Sequence, residues 1–132
     1  MKSHNTSDGR QMESLLDRAR VHPERSMVML NLNRYKADVE FPHGGQYSNY
    51  MAAITHSVEA NGGAVLWRAD VQGSVVGGLE GFHEVLAVWY PNYEAFTSLP
   101  DADGAKEMFR YRKICVEEAH IIELSTAGAL TP

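Results

Sequence analysis

At 132 residues, with 44% apolar and 22% charged residues, the chain reads as one domain around one core. A net charge of −5 without any Lys/Arg cluster argues against a nucleic-acid partner. The single cysteine excludes an intrachain disulfide, no apolar run approaches the roughly 20 residues of a spanning helix, and the polar start shows no signal core. A cytoplasmic protein with no membrane partner is the expectation.

Residues 1–26 read as an N-terminal extension, with 1–7 polar and loose. Asp8 and Gln11 resemble a capping box. Met12, Leu15, Leu16 and Ala19 follow at helical spacing, so a short helix should pack through that stripe until His22-Pro23 ends it. The main domain is expected over 27–124. Met27 to Tyr35 alternates as a strand, with Val28, Leu30 and Leu32 on one face and Met29, Asn31, Asn33 and Tyr35 on the other. A helix over Gly45 to Ala60 carries the stripe Tyr47, Tyr50, Met51, Ile54 and Val58, and Asn61-Gly62-Gly63 stops it.

Ala64 to Gln72 reads as a second strand, Gly73 to Gly81 as a glycine-rich connection, and Glu84 to Tyr90 as a third strand forming a hairpin with the second. A short helix spans Tyr93 to Leu99, and Pro100 interrupts it. A longer helix should cover Ala105 to Glu118, with Ala105, Met108, Phe109, Cys115, Val116 and Ala119 along its buried stripe. His120 to Leu124 closes the domain as a strand, and 125–132 is a small-residue tail.

This β-α-β-β-α-α-β order predicts an α+β ferredoxin-like sandwich, a four-stranded antiparallel sheet with helices on one face. One-sided helices leave the other face bare. With Met29, Leu86 or Trp89 on it, that face would be a large apolar patch. Pairing two such faces predicts a homodimer enclosing a cavity.

Val28–Lys36 (VMLNLNRYK), Asn61–Trp67 (NGGAVLW), His83–Phe96 (HEVLAVWYPNYEAF) and the segment around Arg112 resemble the dimeric α/β-barrel superfamily. Within it they are most similar to the domain-of-unknown-function family thirteen-thirty, from Met27 to Leu124. The resemblance implies the ferredoxin-like fold and a homodimer, and it implies no reaction. Relatives on this fold include cofactor-free monooxygenases, isomerases and haem-degrading proteins, and fold alone does not choose among them. The chain departs from the family pattern at Asn33, at Trp89 and near Gly104-Ala105.

Among candidate ligand-binding residues, Arg112 stands out as the one charge on the last helix's apolar stripe. It needs a carboxylate, a carbonyl or a ligand anion, and a structural pair with Glu84 or Glu123 is the leading reading. Asn31 would present an amide to a cavity or tie down a loop. Arg34 and Tyr35 would stand at the cavity mouth or form a solvated rim. Trp89 and Trp67 read as core or interface aromatics. Asn31 and Trp89 are also two members of the Asn-Trp-His set of haem-degrading relatives, but no histidine follows on the short helix, so no cofactor is expected. His120 and His83 could act as bases, and His56 faces solvent. The scattered histidines show no metal-ligand spacing, so no metal is expected. Cys115 reads as a small core residue. The expected function is binding of an unidentified small molecule by a homodimer. A cofactor-independent enzyme of monooxygenase or isomerase type is one form of it. A non-catalytic ligand-binding or structural dimer is the alternative.

Overall fold

A computed structural model of the chain describes residues 5–126 and 132. Of the segment expected to be loose, residues 1–4 lie outside the described residues, as do residues 127–131 of the expected tail. Helix α1, Gly9–Val21, starts at the capping box that the sequence announces. The Asp8 side chain accepts from the Gln11 N–H at 2.8 Å, and the Gln11 side chain accepts from the Asp8 N–H at 3.0 Å. Of its stripe only Leu15 is buried, while Met12 and Leu16 remain 40% and 46% exposed, so the helix docks through a narrower contact than its spacing suggests. Residue 5 is tied down. The Asn5 side chain accepts from the Ala119 N–H at 2.8 Å and donates to the Glu117 carbonyl at 3.3 Å.

Strands β1, Met27–Tyr35, and helix α2, Gly45–Ala60, occupy the predicted spans. All five residues of the α2 stripe are buried. The turn into α2 requires glycine at 44, because a Cβ there would lie 1.8 Å from the Val39 carbonyl oxygen. Its exit uses Gly62 at φ +90°. Strand β2 is Ala64–Asp70, two residues shorter than expected, and β3 is Glu84–Tyr90. Asn92 caps α3, Tyr93–Thr97, by accepting from the Ala95 N–H at 2.8 Å, and a 3-10 turn over Leu99–Asp101 holds Pro100.

Helix α4, Ala105–Cys115, ends earlier than predicted, and β4, Val116–Ser125, follows without a linker. Val116 and Ala119, whose spacing continues the helical stripe, instead pair with Tyr35 and Asn33 of β1. Ladder hydrogen bonds to β1 outweigh the local helical pattern. Phe109, expected on the buried stripe, is 40% exposed.

The four strands form one antiparallel sheet in the order β2-β3-β1-β4, a ferredoxin-like α+β fold. Helix α2 packs on α4 over one face. The covered face is the mixed one. Met27, Met29 and Tyr35 join Leu86, Val88, Tyr90 and the α2 stripe in the core. The face without helices carries Val28, Leu30 and Leu32, with Trp89 opposite Val28 and Ala87 opposite Leu30. The expectation that Met29 and Leu86 lie bare is therefore reversed, and of the three named residues only Trp89 is on the open side. The polar groups of the mixed face explain the choice, since Asn33 and Glu84 find hydroxyl partners on that side.

Candidate functional site

Two polar regions lie on the helix side of the sheet. The first surrounds Glu84, at the start of β3 and 2% exposed. Its Oε1 accepts from the Tyr35 hydroxyl at 2.6 Å and its Oε2 accepts from the Tyr47 hydroxyl. The Asn33 amide donates to the Tyr35 oxygen at 3.3 Å, and Arg68 donates to the Tyr47 oxygen at 3.1 Å. The Tyr35 N–H donates to His83 Nδ1 at 2.9 Å, so in this arrangement Nδ1 is the acceptor and the ring's proton sits on Nε2. Phe41 closes the cluster, stacked on Tyr35 at 5.1 Å and edge-on to Tyr47 at 4.9 Å. Burial, and then the neighbouring Glu84 carboxylate, push both tyrosine hydroxyls well above their ordinary range. The region is closed, and both carboxylate oxygens are occupied.

The second region is a cavity of about 510 Å³ between the segment 5–18, β4, α3 and α4, a size that suits a small molecule. Met29 and Ile121 contribute apolar wall, and Gln11 and Ser14 of α1 contribute polar wall. Arg10, Arg18 and Arg112 all line it, against one carboxylate, Glu123. That carboxylate is already engaged. Arg18 Nε donates to its Oε1 at 2.8 Å, a second guanidinium nitrogen lies 2.6 Å from the same oxygen, and the Tyr93 hydroxyl donates to Oε2. The hydrogen bond to Glu123 raises the Arg18 pKa further, against the opposing effect of burial.

Arg112 is half-buried, and the expected pair with Glu84 or Glu123 does not form. Both acids are taken by tyrosines, and Glu123 by Arg18 as well. Among the described residues Arg112 forms no ion pair. It does act on the buried Tyr50 hydroxyl. Burial pushes that phenol up to about 12, while the Arg112 charge and hydrogen bond pull the other way.

The remaining candidates are dispersed. Asn31 is on the helix side of β1, half-buried, and donates to its own strand at the Met29 carbonyl, 3.0 Å away. Arg34 and His120 meet on the open side instead. Arg34 lies 3.0 Å from Glu118 Oε1 and 3.8 Å from Glu117, and His120 Nε2 is 2.6 Å from Glu118 Oε2. Phe82 packs on both, 5.8 Å from the Arg34 guanidinium and 5.5 Å from the His120 ring. Trp89 is on the open side at the other end of β1, and its indole N–H is buried without a hydrogen-bond partner among the described residues. The six candidates thus divide between two faces of the sheet, Asn31, Tyr35 and Arg112 on one and Arg34, Trp89 and His120 on the other, and of the second group His120 also reaches the wall of the cavity that Arg112 lines. Cys115 is fully buried, its sulfur 3.3 Å from the Gln46 carbonyl, and burial raises its thiol pKa, as a core role requires. His56 is exposed and meets Asp103 at 2.8 Å.

Sequence reasoning missed Glu84 as a cluster centre and missed Arg10, Arg18 and Ser14 altogether. An acid at the head of an apolar strand was the available signal for Glu84. The α1 residues carry none, since their role depends on where α1 docks. Among the described residues no group of three His, Cys, Asp or Glu could hold a metal ion, and no helix is long and apolar enough to cross a membrane.

No family model matches the chain, and no curated protein does. Solved structures do. A protein of unknown function from Rhodopseudomonas palustris aligns at TM-score 0.74 and 23% identity, over 99% of this chain and 100% of that one. A hydroxynitrile lyase from Passiflora edulis aligns at TM-score 0.62 and 15% identity, over 83% and 100%. A putative antibiotic biosynthesis monooxygenase from Bacteroides thetaiotaomicron aligns at TM-score 0.51 and 14% identity, over 82% and 93%. At these identities the likeness is one of fold.

Proposed function

We propose that this chain is a small-molecule-binding protein of the dimeric α/β-barrel type, related to the domain-of-unknown-function family thirteen-thirty. It holds its ligand in the cavity between α1, β4 and α4, and it pairs with a second copy through the open sheet face. One observation carries the reading of the site. A cavity of about 510 Å³ has in its wall an arginine, Arg112, that forms no ion pair among the described residues. A half-buried cation with no carboxylate is costly unless something else meets it.

Binding without catalysis is favoured over a cofactor-independent enzyme by the state of the cavity's one carboxylate: Glu123 is held by Arg18 and Tyr93 and is not free to move a proton on a ligand. That a hydroxynitrile lyase and a monooxygenase-like protein share the sandwich is an analogy of fold and selects no reaction.

Thermal denaturation against a metabolite mixture tests the site. At least one compound should raise the melting temperature of the wild type, and Ile121→Trp, which fills the cavity from β4, should abolish the rise. Equal stabilisation of both proteins would place the ligand elsewhere. For the pairing, the open face is supported by its apolar make-up and by Ile122 and Trp67, 55% and 47% exposed. Sedimentation at micromolar concentration should give twice the chain mass of 14.7 kDa. Leu30→Glu combined with Ile122→Glu should give the monomer. A wild-type monomer would end the dimer reading and leave the cavity reading standing.

A further inference from the structure

Resting on the assignment of the cavity as a binding site, we infer that its ligand is a small organic anion, gripped between Arg112 on α4 and Arg10 on α1. The chain as a whole carries a net charge of −5, yet the described lining of this cavity holds three arginines and one carboxylate. Arg18 cancels that carboxylate at 2.6 Å, which leaves Arg10 and Arg112 without an acid among the described residues. The two come from different elements. Arg10 is on the first turn of an exposed helix, and Arg112 is on the half-buried side of α4. A ligand that touches both bridges α1 to the core.

The rest of the wall fits the same chemistry. Gln11 and Ser14 offer neutral donors beside the cations, and Ile121 and Met29 offer an apolar surface for a short carbon skeleton. Guanidinium groups recognise carboxylate and phosphate through paired N–H donors, and a partly desolvated setting strengthens those bonds. Carboxylate and phosphate are therefore the two sources of the same charge, and both are tested.

Isothermal titration calorimetry on the full chain would use succinate, inorganic phosphate and the neutral analogue succinamide, each against sodium chloride of matched ionic strength. Succinate or phosphate should bind with about one ligand per chain, and succinamide should not. Succinate without phosphate would identify a carboxylate site, and the converse a phosphate site. Arg112→Met should weaken binding by roughly ten- to a hundredfold, the loss expected for one charge-assisted hydrogen bond, and Arg112→Lys should restore part of it. Arg10→Gln, at an exposed position that folding does not need, should weaken binding in the same direction, so the inference does not depend on how Arg112→Met folds. Binding of neither anion, or unchanged affinity in both variants, overturns it. A neutral compound that stabilises the wild type and spares Ile121→Trp would overturn the anion reading while keeping the cavity as the site.

Discussion

The Glu84 end and the Arg112 end of the same sheet face handle buried charge in opposite ways. At Glu84 a carboxylate with 2% exposure has a donor on each oxygen, those donors have partners of their own, and an aromatic lid closes the group. At Arg112 the cation borders open volume, and the acids that could have met it are held by tyrosines and by Arg18. A saturated polar cluster fixes a fold, whereas an unsaturated one is available to a ligand. The difference teaches that the count of polar groups on a face says little. What matters is whether each group's partner comes from within the chain.

The largest effect should come from removing the centre of the closed cluster. Glu84→Ala strands two buried phenolic hydroxyls and opens a cavity, at a cost on the order of 3–5 kcal/mol. Urea denaturation measures it, and a cost under about 1 kcal/mol would mean the cluster does not support the fold. Tyr35→Phe and Tyr47→Phe should each cost about 1.5–3 kcal/mol, with the double variant deviating from the sum because both share one carboxylate.

Leu15→Ala should come next, at about 2–3 kcal/mol, because Leu15 is the buried anchor of α1. Leu16→Ala, at a position 46% exposed, should change stability by under about 0.5 kcal/mol. Equal effects would show that α1 docks through a different face, and the cavity wall would have to be redrawn.

Arg112→Met should cost about 1–2 kcal/mol without ligand, the loss of its one hydrogen bond to the Tyr50 hydroxyl, which is well below the cost of Glu84→Ala. A loss of several kcal/mol would mean that Arg112 is as tightly committed as Glu84, and the comparison would collapse.

The smallest effect is alkaline. The Tyr50 phenol moves from 10.0 to about 12 on folding, chiefly through burial. A folded pKa above the unfolded one means the folded state keeps its proton longer. This contribution is thus complete below pH 10 and is lost as pH rises towards 12. Tyr35, Tyr47 and Tyr90 act in the same direction. Unfolding monitored by circular dichroism should become easier above about pH 10, with phenolate absorbance appearing alongside it. Arg112→Met removes the charge that favours the Tyr50 phenolate, so the phenolate signal should shift to higher pH. An unchanged titration would mean Arg112 does not reach Tyr50.

The sequence by itself determined the elements whose information is local. The α1 capping box, the α2 stripe with its glycine exit, and the limits of β1 and β3 follow from hydrogen bonds and periodicity within a few residues. The order of those elements was enough for the ferredoxin-like sheet. Only the tertiary structure decided which face of β1 the helices cover. Alternation separates two faces without saying which is inner, and the Tyr47 hydroxyl brought from α2 to Glu84 settles it. Tertiary pairing likewise turned Val116–Glu118 from helix into strand. It also decided the fate of Arg112. Spacing showed that a cation lies on an apolar stripe, but its partner depends on competition among distant side chains. Arg18, 105 residues from Glu123 in the chain, occupies the acid that Arg112 was expected to meet, because α1 folds back over β4.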